Sequence, residues 1–398
     1  MNFKKNQDNT AGLATRIIHD QAYTDPWGSP DIPLYASTTF RFARTADLLE
    51  VVEGRKVGAL YTRYGLNPSI LALEHTLAQL ETAEGALAFS SGIAALSAAF
   101  LSTGQGGVVC LGEMYGGTQT LLEKSLSPLG VPVIQLPFWN EAELVQVLRP
   151  GQWVFFETPS NPTLSIIDIA AVVDLAHRAG AKVLIDSTFA TPVNQNPLAL
   201  GVDLVVHSAT KYLGGHSDIT AGAVMGSMEL LKPLAVWRQN LGSILAPVTA
   251  SMLVRSLKTL IVRVERQNAT AAALADSLQK NPQVQRVLYP GLPEHPGHAI
   301  ARRQMRGFGG MLTLELPGGQ QSASAVADQL RLFLLAPSLG GVESLVTQPC
   351  LTSHRELSAA ERQRRGISEG MLRLSVGLEA VEDLLADLQQ ALEVVYSV

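Results

Sequence analysis

The sequence lacks several features that mark secreted, membrane-spanning or nucleic-acid-binding proteins. Its 398 residues include only two cysteines, Cys110 and Cys350, which form no spaced pair, so we expect two buried free thiols. The apolar runs are too short for a membrane span. With a net charge of −5 and no basic stripe, the chain is not expected to bind nucleic acid. The polar N-terminus has no apolar segment typical of a signal peptide, so we expect a cytoplasmic protein.

The pattern of apolar runs predicts an α/β protein. Residues 1 to about 60 have few periodic segments and include PWGSPDIPLY, so they predict an extended arm that is either packed on a neighbouring subunit or disordered. From about residue 85, amphipathic helices alternate with short apolar runs that lack polar alternation: GALAF, GVVCLG, VPVIQLP, WVFFE, AKVLID, DLVVHS and AGAVMGS. Such runs indicate a mostly parallel central sheet with helices on both faces.

Helix signals and a second group of apolar runs predict two domains, as expected for a chain of this length. Asn67 and Pro68 suit the start of a helix, and residues 248–280 predict one long helix. The runs VQRVLYPG, GGMLTLELPG, LRLFLLAP and MLRLSVGLE then predict a smaller C-terminal α/β domain. We divide the chain into an arm at residues 1–63, a large domain at 64–260 and a C-terminal domain at 261–398.

A lysine follows one of the buried strands. Lys211 lies in SATKYLGGHSD, directly after the apolar run DLVV. Burying an ammonium is costly unless it is paired or its charge is removed. Lys211 therefore either forms an imine with an aldehyde cofactor, as desolvated lysines do, or is an ordinary surface lysine at a strand-to-loop junction.

Three other strand ends carry polar residues. Ser91 and Gly92 come between a strand and a helix, which indicates either an anion site at the helix N-terminus or a common strand-to-helix turn. Asp186 ends the run VLID and suits either a protonated ring nitrogen or the capping of the next turn. Asn161 in ETPSNP suits either a hydrogen bond to a ring oxygen or an Asn-Pro turn.

Taken together, the strand ends favour pyridoxal phosphate as cofactor. That cofactor needs an imine-forming lysine, an acidic partner for its ring nitrogen and an anion site for its phosphate. Lys211, Asp186 and the turn at Ser91 supply these three on one predicted sheet. Ser208 and Thr210 flank the lysine and can add hydroxyl donors to the phosphate.

Seven motifs resemble those of the Cys/Met-metabolism (trans-sulfuration) group of fold-type I pyridoxal-phosphate enzymes. They are YTRYG, SSGIAAL, EMYGGT, ETPSNP, HSATKYLGGHSD, SLGGVESL and LRLSVGLE. The resemblance runs from ATRIIH to LLADLQQAL, almost the whole chain. It implies the fold-type I transferase fold, with a dimer as the minimal active unit and a tetramer as the usual assembly.

The resemblance also implies a role for each residue that matches a motif. Lys211 would hold the cofactor and move protons, and Tyr115 would stack on the ring and act as an acid or base. Arg373 would bind the substrate carboxylate; the alternative is a surface arginine, but its position between apolar Leu372 and Leu374 on a strand favours an anion as partner. The remaining implied cofactor and substrate contacts are Tyr61 and Arg63 from the neighbouring subunit, Ser91, Gly92, Ile93, Asn161, Asp186, Ser208, Thr210, Ser338 and Glu343.

For activity, the resemblance favours a γ-lyase that eliminates a γ-substituent from an L-amino acid such as cystathionine, methionine or homocysteine, giving 2-oxobutanoate and ammonia. The main alternative is γ-replacement, as in cystathionine γ-synthase or a homoserine sulfhydrylase. A cystathionine β-lyase and a catalytically idle regulatory protein that binds the cofactor are further alternatives.

Three details bear on the choice of substrate. Gly117 occupies a position where methionine γ-lyases usually have a cysteine, and we expect it to leave room beside Tyr115. By resemblance, Glu343 would bind the distal ammonium of cystathionine. The motif YTRYGLNPS is one residue longer than the form common in γ-enzymes, beside the phosphate-binding Arg63.

Overall fold

The computed structural model describes residues 11–19, 25, 27–102 and 106–396. Its strands are β1 (Gly85–Phe89), β2 (Val108–Leu111), β3 (Val133–Leu136), β4 (Trp153–Glu157), β5 (Lys182–Asp186), β6 (Leu204–His207), β7 (Gly222–Gly226), β8 (Arg286–Leu288), β9 (Met311–Glu315), β10 (Leu334–Leu335), β11 (Leu345–Thr347) and β12 (Met371–Ser375).

The described α-helices are distributed around these strands. They are α1 (Leu13–His19), α2 (Thr45–Val52), α3 (Pro68–Glu81), α4 (Gly92–Ser102), α5 (Gly116–Thr120), α6 (Glu141–Val147), α7 (Ile169–Arg178), α8 (Thr191–Asn194), α9 (Met228–Leu241), α10 (Pro247–Leu257), α11 (Leu260–Leu278), α12 (His298–Gln304), α13 (Gly319–Gln329), α14 (Ala359–Arg364) and α15 (Val381–Tyr396).

The first sheet has seven strands in the order β1-β7-β6-β5-β4-β2-β3. All neighbouring pairs are parallel except those of β7, which runs antiparallel to both β1 and β6. Apolar residues of β5 and β6 pack against α4 and α9 on one face and against α7 on the other. The predicted mostly parallel sheet with helices on both faces is therefore confirmed.

The second sheet has five strands in the order β10-β11-β12-β9-β8, and only β10 and β11 are parallel. Leu372 and Leu374 of β12 pack with α11, α13 and α15. Because side chains alternate across a strand, Arg373 is directed to the opposite face, towards the first sheet. Thr313 of β9, which is paired with Arg373 of β12, donates a hydrogen bond to the carbonyl of Pro162 in the segment after β4 (2.7 Å).

The prediction of one long helix over residues 248–280 is wrong. The segment forms two helices, α10 and α11, separated by Lys258 and Thr259. The guanidinium of Arg263 donates to the carbonyl of Ser256 at the end of α10 (3.0 Å), and the same carbonyl accepts the N–H of Thr259 (3.2 Å). The side chain of a residue from the second helix thus caps the first.

Other details differ from or agree with the sequence expectations. The arm contains two helices, α1 and α2, and the short strand β11 was not predicted. Asn67 caps α3 as expected, with its side chain accepting from the N–H of Ser69 (2.9 Å). Cys110 and Cys350 are buried free thiols, as predicted. Within the described residues, every helix is too short or too polar to cross a membrane.

Candidate active site

A cavity of about 700 Å³ lies at the carboxyl ends of β4, β5 and β6. The start of α4 and the face of the second sheet that carries Arg373 complete its walls. Ligands bind at this edge of open parallel sheets. Eleven of the predicted site residues line the cavity: Ser91, Gly92, Ile93, Tyr115, Asn161, Asp186, Ser208, Thr210, Lys211, Ser338 and Arg373.

Lys211 lies in the turn that follows β6 and extends into the cavity. Its Nζ donates a hydrogen bond to the Oγ of Ser338 (2.7 Å), across the boundary between the two sheets. Burial, and secondarily the positive charge of Arg373, lowers the pKa of Lys211 to about 8. A lysine with this pKa is uncharged in about a tenth of the molecules at pH 7, far more than an ordinary lysine, and the uncharged amine is the form that makes an imine.

Asp186 ends β5 beside Lys211 and has a buried carboxylate. Burial raises its pKa, while hydrogen bonding from Thr188 and the charge of His207 act in the opposite direction. The N–H of Thr188 donates to Oδ1 of Asp186 (2.9 Å) and so fixes the orientation of the carboxylate. A buried carboxylate held in this way suits a protonated ring nitrogen, whose charge would compensate its own.

Glu157 is a cavity residue that the sequence analysis missed. It ends β4 and is paired in register with Asp186 on β5. Its Oε1 accepts the backbone N–H of Tyr115 (2.8 Å), and burial raises its pKa well above the ordinary value. Its sequence signal was the same as that of Asp186, an acid at the end of a buried apolar run.

The turn at Ser91 and Gly92 leads into α4, as predicted. Ser91 Oγ accepts the N–H of Ala94 (3.1 Å) and caps the helix. A Cβ at position 92 would lie 2.9 Å from the Cβ of Ser208, so this approach of two chain segments requires glycine. Free backbone N–H groups at a helix start bind anions, which makes the turn suitable for a phosphate.

Arg373 and Asn161 form the substrate side of the cavity together with Ser338. The guanidinium donates through Nη1 to Oδ1 of Asn161 (3.0 Å) and through Nη2 to the carbonyl of Ser338 (2.9 Å). Its buried Nε has no hydrogen-bond partner in the described part of the chain. Burial lowers the pKa of Arg373 to about 10, and an unpartnered N–H on a buried cation is suited to an anion such as a carboxylate.

Tyr115 lies at the opening of the cavity, with 49% of its surface exposed. The expectation of empty space beside it at Gly117 is wrong. A Cβ at position 117 would overlap Cε1 of the Tyr115 ring, so the ring itself occupies that space. Any larger residue at 117 would displace the ring, which changes the expected effect of a cysteine there.

Three predicted residues lie outside the cavity of this chain. Tyr61 lines a separate surface pocket, and Arg63 Nη1 donates to the carbonyl of Gln239, which lines the same pocket near the end of α9 (3.1 Å). Glu343 does not line the cavity either, and its carboxylate accepts a hydrogen bond from the hydroxyl of Ser217.

The residues present fit pyridoxal phosphate. Lys211 offers an amine of low pKa, Asp186 offers a buried carboxylate, and the turn at Gly92 offers a helix start that only glycine allows. All three line one cavity at the carboxyl edge of a mostly parallel sheet. The fold and the site define a fold-type I pyridoxal-phosphate-dependent enzyme.

Comparisons with known proteins agree with this class. The family model "Cys/Met metabolism PLP-dependent enzyme" matches residues 14–393. L-methionine gamma-lyase of Fusobacterium nucleatum subsp. nucleatum is 40% identical over 389 residues, 96% of this chain and 98% of the relative. Chloroplastic cystathionine gamma-synthase 1 of Arabidopsis thaliana is 40% identical over 367 residues, 91% of this chain but 65% of the longer relative.

A solved structure of a known enzyme has a similar fold. The cystathionine gamma synthase of Xanthomonas oryzae pv. oryzae, in complex with aminoacrylate and cysteine, superposes with a TM-score of 0.90. It is 37% identical, and the alignment covers 98% of this chain and 100% of that one. The chain belongs to the family of Cys/Met metabolism PLP-dependent enzymes.

Proposed function

We propose that the protein is a carbon–sulfur γ-lyase, which eliminates a sulfur-containing γ-substituent from an L-amino acid to give 2-oxobutanoate and ammonia. One observation carries the proposal: Lys211 donates to the hydroxyl of Ser338 while Arg373 donates to the carbonyl of the same residue. A proton-moving amine and a carboxylate-binding guanidinium therefore meet in one cavity, as a reaction at Cα of an amino acid requires.

We assign the binding of pyridoxal phosphate to the large domain. Lys211 would take the aldehyde, Asp186 the ring nitrogen, and the turn from Ser91 to Ile93 the phosphate, with the hydroxyls of Ser208 and Thr210 as further donors. When bound, the cofactor would supply an aldehyde for the substrate's amino group and a ring that accepts electrons.

The protein's own residues would carry the remaining chemistry. Arg373, assisted by Asn161 and Ser338, binds the substrate carboxylate and orients Cα towards Lys211. The Lys211 amine removes the Cα proton and, after passing it on, a proton from Cβ, and the electron pair left at Cβ forms a Cβ–Cγ double bond as the γ-substituent leaves. Tyr115, at the cavity opening, protonates the departing sulfur. Return of a proton to Cγ and addition of water then release 2-oxobutanoate and ammonia.

We further propose that the protein acts in the cytoplasm as a homo-oligomer in which a dimer is the minimal active unit and a tetramer the complete assembly. Tyr61 and Arg63 match a family motif for phosphate binding but lie away from the cavity of their own chain. Their position favours a contact with the cofactor site of a neighbouring subunit. Both residues belong to the proposed arm at residues 1–63, which precedes a large domain at 64–260 and a C-terminal domain at 261–398.

The second candidate is γ-replacement, in which a thiol takes the place of the leaving group. It is favoured by the 40% identity to a cystathionine gamma-synthase, equal to the identity with a methionine gamma-lyase. The residues described above serve both outcomes, because the bond broken at Cγ is the same.

A substrate panel tests the proposal. Holoenzyme is incubated with cystathionine, methionine, homocysteine, an acylated homoserine with and without cysteine, and cysteine alone. Products are scored for 2-oxobutanoate, pyruvate and thioether. A γ-lyase gives 2-oxobutanoate from a thioether alone. Thioether formation only with added cysteine would identify γ-replacement, and pyruvate from cystathionine would identify β-elimination.

A further inference from the structure

The turn that carries Arg63 rests on a buried arginine of α9. The turn spans Thr62–Tyr64 and ends at Gly65, whose φ of 81° lies in the left-handed region. A Cβ at position 65 would overlap Nη2 of Arg238, so the glycine backbone packs directly on that guanidinium. Gly65 thus meets two requirements that only glycine satisfies, the backbone conformation and the close contact.

Arg238 is itself held by a buried ion pair. It is 3% exposed, and its Nη1 is paired with Oε1 of Glu74 on α3. The same Nη1 donates to the carbonyl of Ala88 on β1 (2.9 Å), and Glu74 Oε1 accepts the N–H of Ala88 (2.9 Å). The pair therefore joins α3, α9 and β1 at one point.

The Glu74–Arg238 pair lies close to the turn at Ser91 and Gly92 of the same chain, to which we assign phosphate binding. The guanidinium carbon of Arg238 lies 5.7 Å from the ring centroid of Phe89, the last residue of β1. Ser90 follows directly, and its N–H donates to the carbonyl of Ser243, just beyond α9 (3.0 Å). The same helix that contacts the Arg63 turn thus also fixes the strand end that leads to Ser91.

We infer that the Glu74–Arg238 pair is a positioning device for two cofactor sites, setting both the chain's own Ser90–Gly92 turn and the Thr62–Tyr64 turn that serves the neighbouring subunit. The inference rests on the proposed function, in which Arg63 contacts a phosphate across the interface. It assigns a role to Gly65, one of the three residues between Arg63 and Asn67 in YTRYGLNPS: Gly65 seats the turn on Arg238.

The alternative is an ion pair that serves stability alone. A buried pair can often be replaced by apolar residues without loss of stability, so its presence is weak support for that reading. A purely structural pair would affect unfolding and leave cofactor affinity unchanged in the folded oligomer. A positioning pair would affect cofactor affinity even where the fold and the assembly are intact.

The test compares Gly65→Ala with Gly54→Ala. Both glycines have a positive φ, 81° and 71°, but a Cβ at position 54 meets no atom within 4 Å, whereas one at position 65 overlaps Arg238. Each protein is freed of cofactor, checked for thermal unfolding and oligomeric state, and titrated with pyridoxal phosphate by visible absorbance. We expect the dissociation constant to rise about tenfold or more for Gly65→Ala, the effect of losing a charge-assisted contact, and to be unchanged for Gly54→Ala.

Two further variants separate the possible failures. Arg63→Ala should weaken cofactor binding at least as much as Gly65→Ala; if it does not, the proposed role of Arg63 fails. If Arg63→Ala weakens binding while Gly65→Ala matches Gly54→Ala, only the positioning inference is overturned. Arg238→Lys keeps a positive charge near Glu74 while removing the surface under Gly65, and it replaces Gly65→Ala if that variant does not fold. Unchanged affinity in folded Arg238→Lys would likewise overturn the inference.

Discussion

The two sheets contribute different kinds of residue to the same cavity. The seven-stranded sheet offers residues from strand ends and turns, among them Lys211, Asp186 and Gly92, all suited to a cofactor. The five-stranded sheet offers Arg373 from within β12, together with Ser338 from the loop after β10, both suited to a substrate carboxylate. This difference supports the proposal that residues of the seven-stranded sheet bind the cofactor and residues of the five-stranded sheet bind the substrate.

The largest expected effect comes from removing the cofactor-side lysine. Lys211→Ala should abolish the visible absorbance band of the bound cofactor and lower kcat by roughly 10²–10⁴-fold or more, because both the covalent attachment and the general base are lost. Absorbance is measured on purified protein after free cofactor is removed. Lys182→Ala, at an exposed lysine of β5, is the matched control and should retain both properties. An unchanged band in Lys211→Ala would contradict the assignment.

Asp186 should matter more than its neighbour Glu157, the acid at the end of β4. We expect Asp186→Asn to reduce kcat by about 10²-fold and to shift the cofactor spectrum, because a neutral amide does not keep a ring nitrogen protonated. Glu157→Gln should have a much smaller effect, since burial already favours the neutral acid and the amide oxygen can still accept the N–H of Tyr115. Equal losses in the two variants would break the distinction between the carboxylates.

On the substrate side, Arg373→Leu should leave the cofactor absorbance intact and raise KM about 10- to 150-fold, the effect of losing charged hydrogen bonds worth about 1.5–3 kcal/mol. Steady-state kinetics and the absorbance spectrum are measured on the same samples. Arg286→Leu, an exposed arginine of β8 in the same sheet, is the control and should not change KM. Loss of the absorbance band in Arg373→Leu would show that Arg373 is needed for cofactor binding and would contradict the separate roles proposed for the two sheets.

The smallest effect concerns pH. The pKa of Lys211 is lowered to about 8 from the ordinary 10.5, so its reactive neutral amine forms above about pH 8 rather than above 10.5. The rate at which cofactor-free protein gains visible absorbance should therefore rise with pH and level off above about 8. Because the charge of Arg373 contributes to the lowering, Arg373→Leu should move the inflection to higher pH. An inflection near 10 in the parent protein would contradict the buried environment of Lys211.

The first sheet was more predictable from the sequence than the second. Each of its seven strands has an apolar run without polar alternation, because helices cover both faces, and β4, β5 and β6 carry a polar residue only at an end. The antiparallel direction of β7 left no such signal, since direction depends on how the strands assemble. In the second sheet, β11 has three residues, Leu345–Thr347, too few for any periodicity. At the break between α10 and α11, Arg263 and Thr259 donate to the carbonyl of Ser256, contacts that no apolar periodicity encodes.

In the candidate site, too, the residues that a local sequence pattern marks were predictable and those that depend on tertiary contacts were not. Residues at the ends of apolar runs, such as Lys211 and Asp186, could be found because burial of a charge at that point needs an explanation. Glu157 carried the same signal and was missed, because pyridoxal phosphate requires only one acidic partner for its ring nitrogen. The ring of Tyr115 over Gly117 and the bond of Glu343 to Ser217 are tertiary contacts, which no local pattern encodes.

The most direct test of the central claim locates the cofactor attachment chemically. The holoprotein is reduced with borohydride, which makes the cofactor linkage stable, then digested and analysed by mass spectrometry. We predict a single modified peptide, with the pyridoxyl phosphate mass on Lys211 in the segment HSATKYLGGHSD. Attachment at an exposed lysine such as Lys182, or no attachment in a protein that shows the visible band, would contradict the assignment of the cofactor to this strand end.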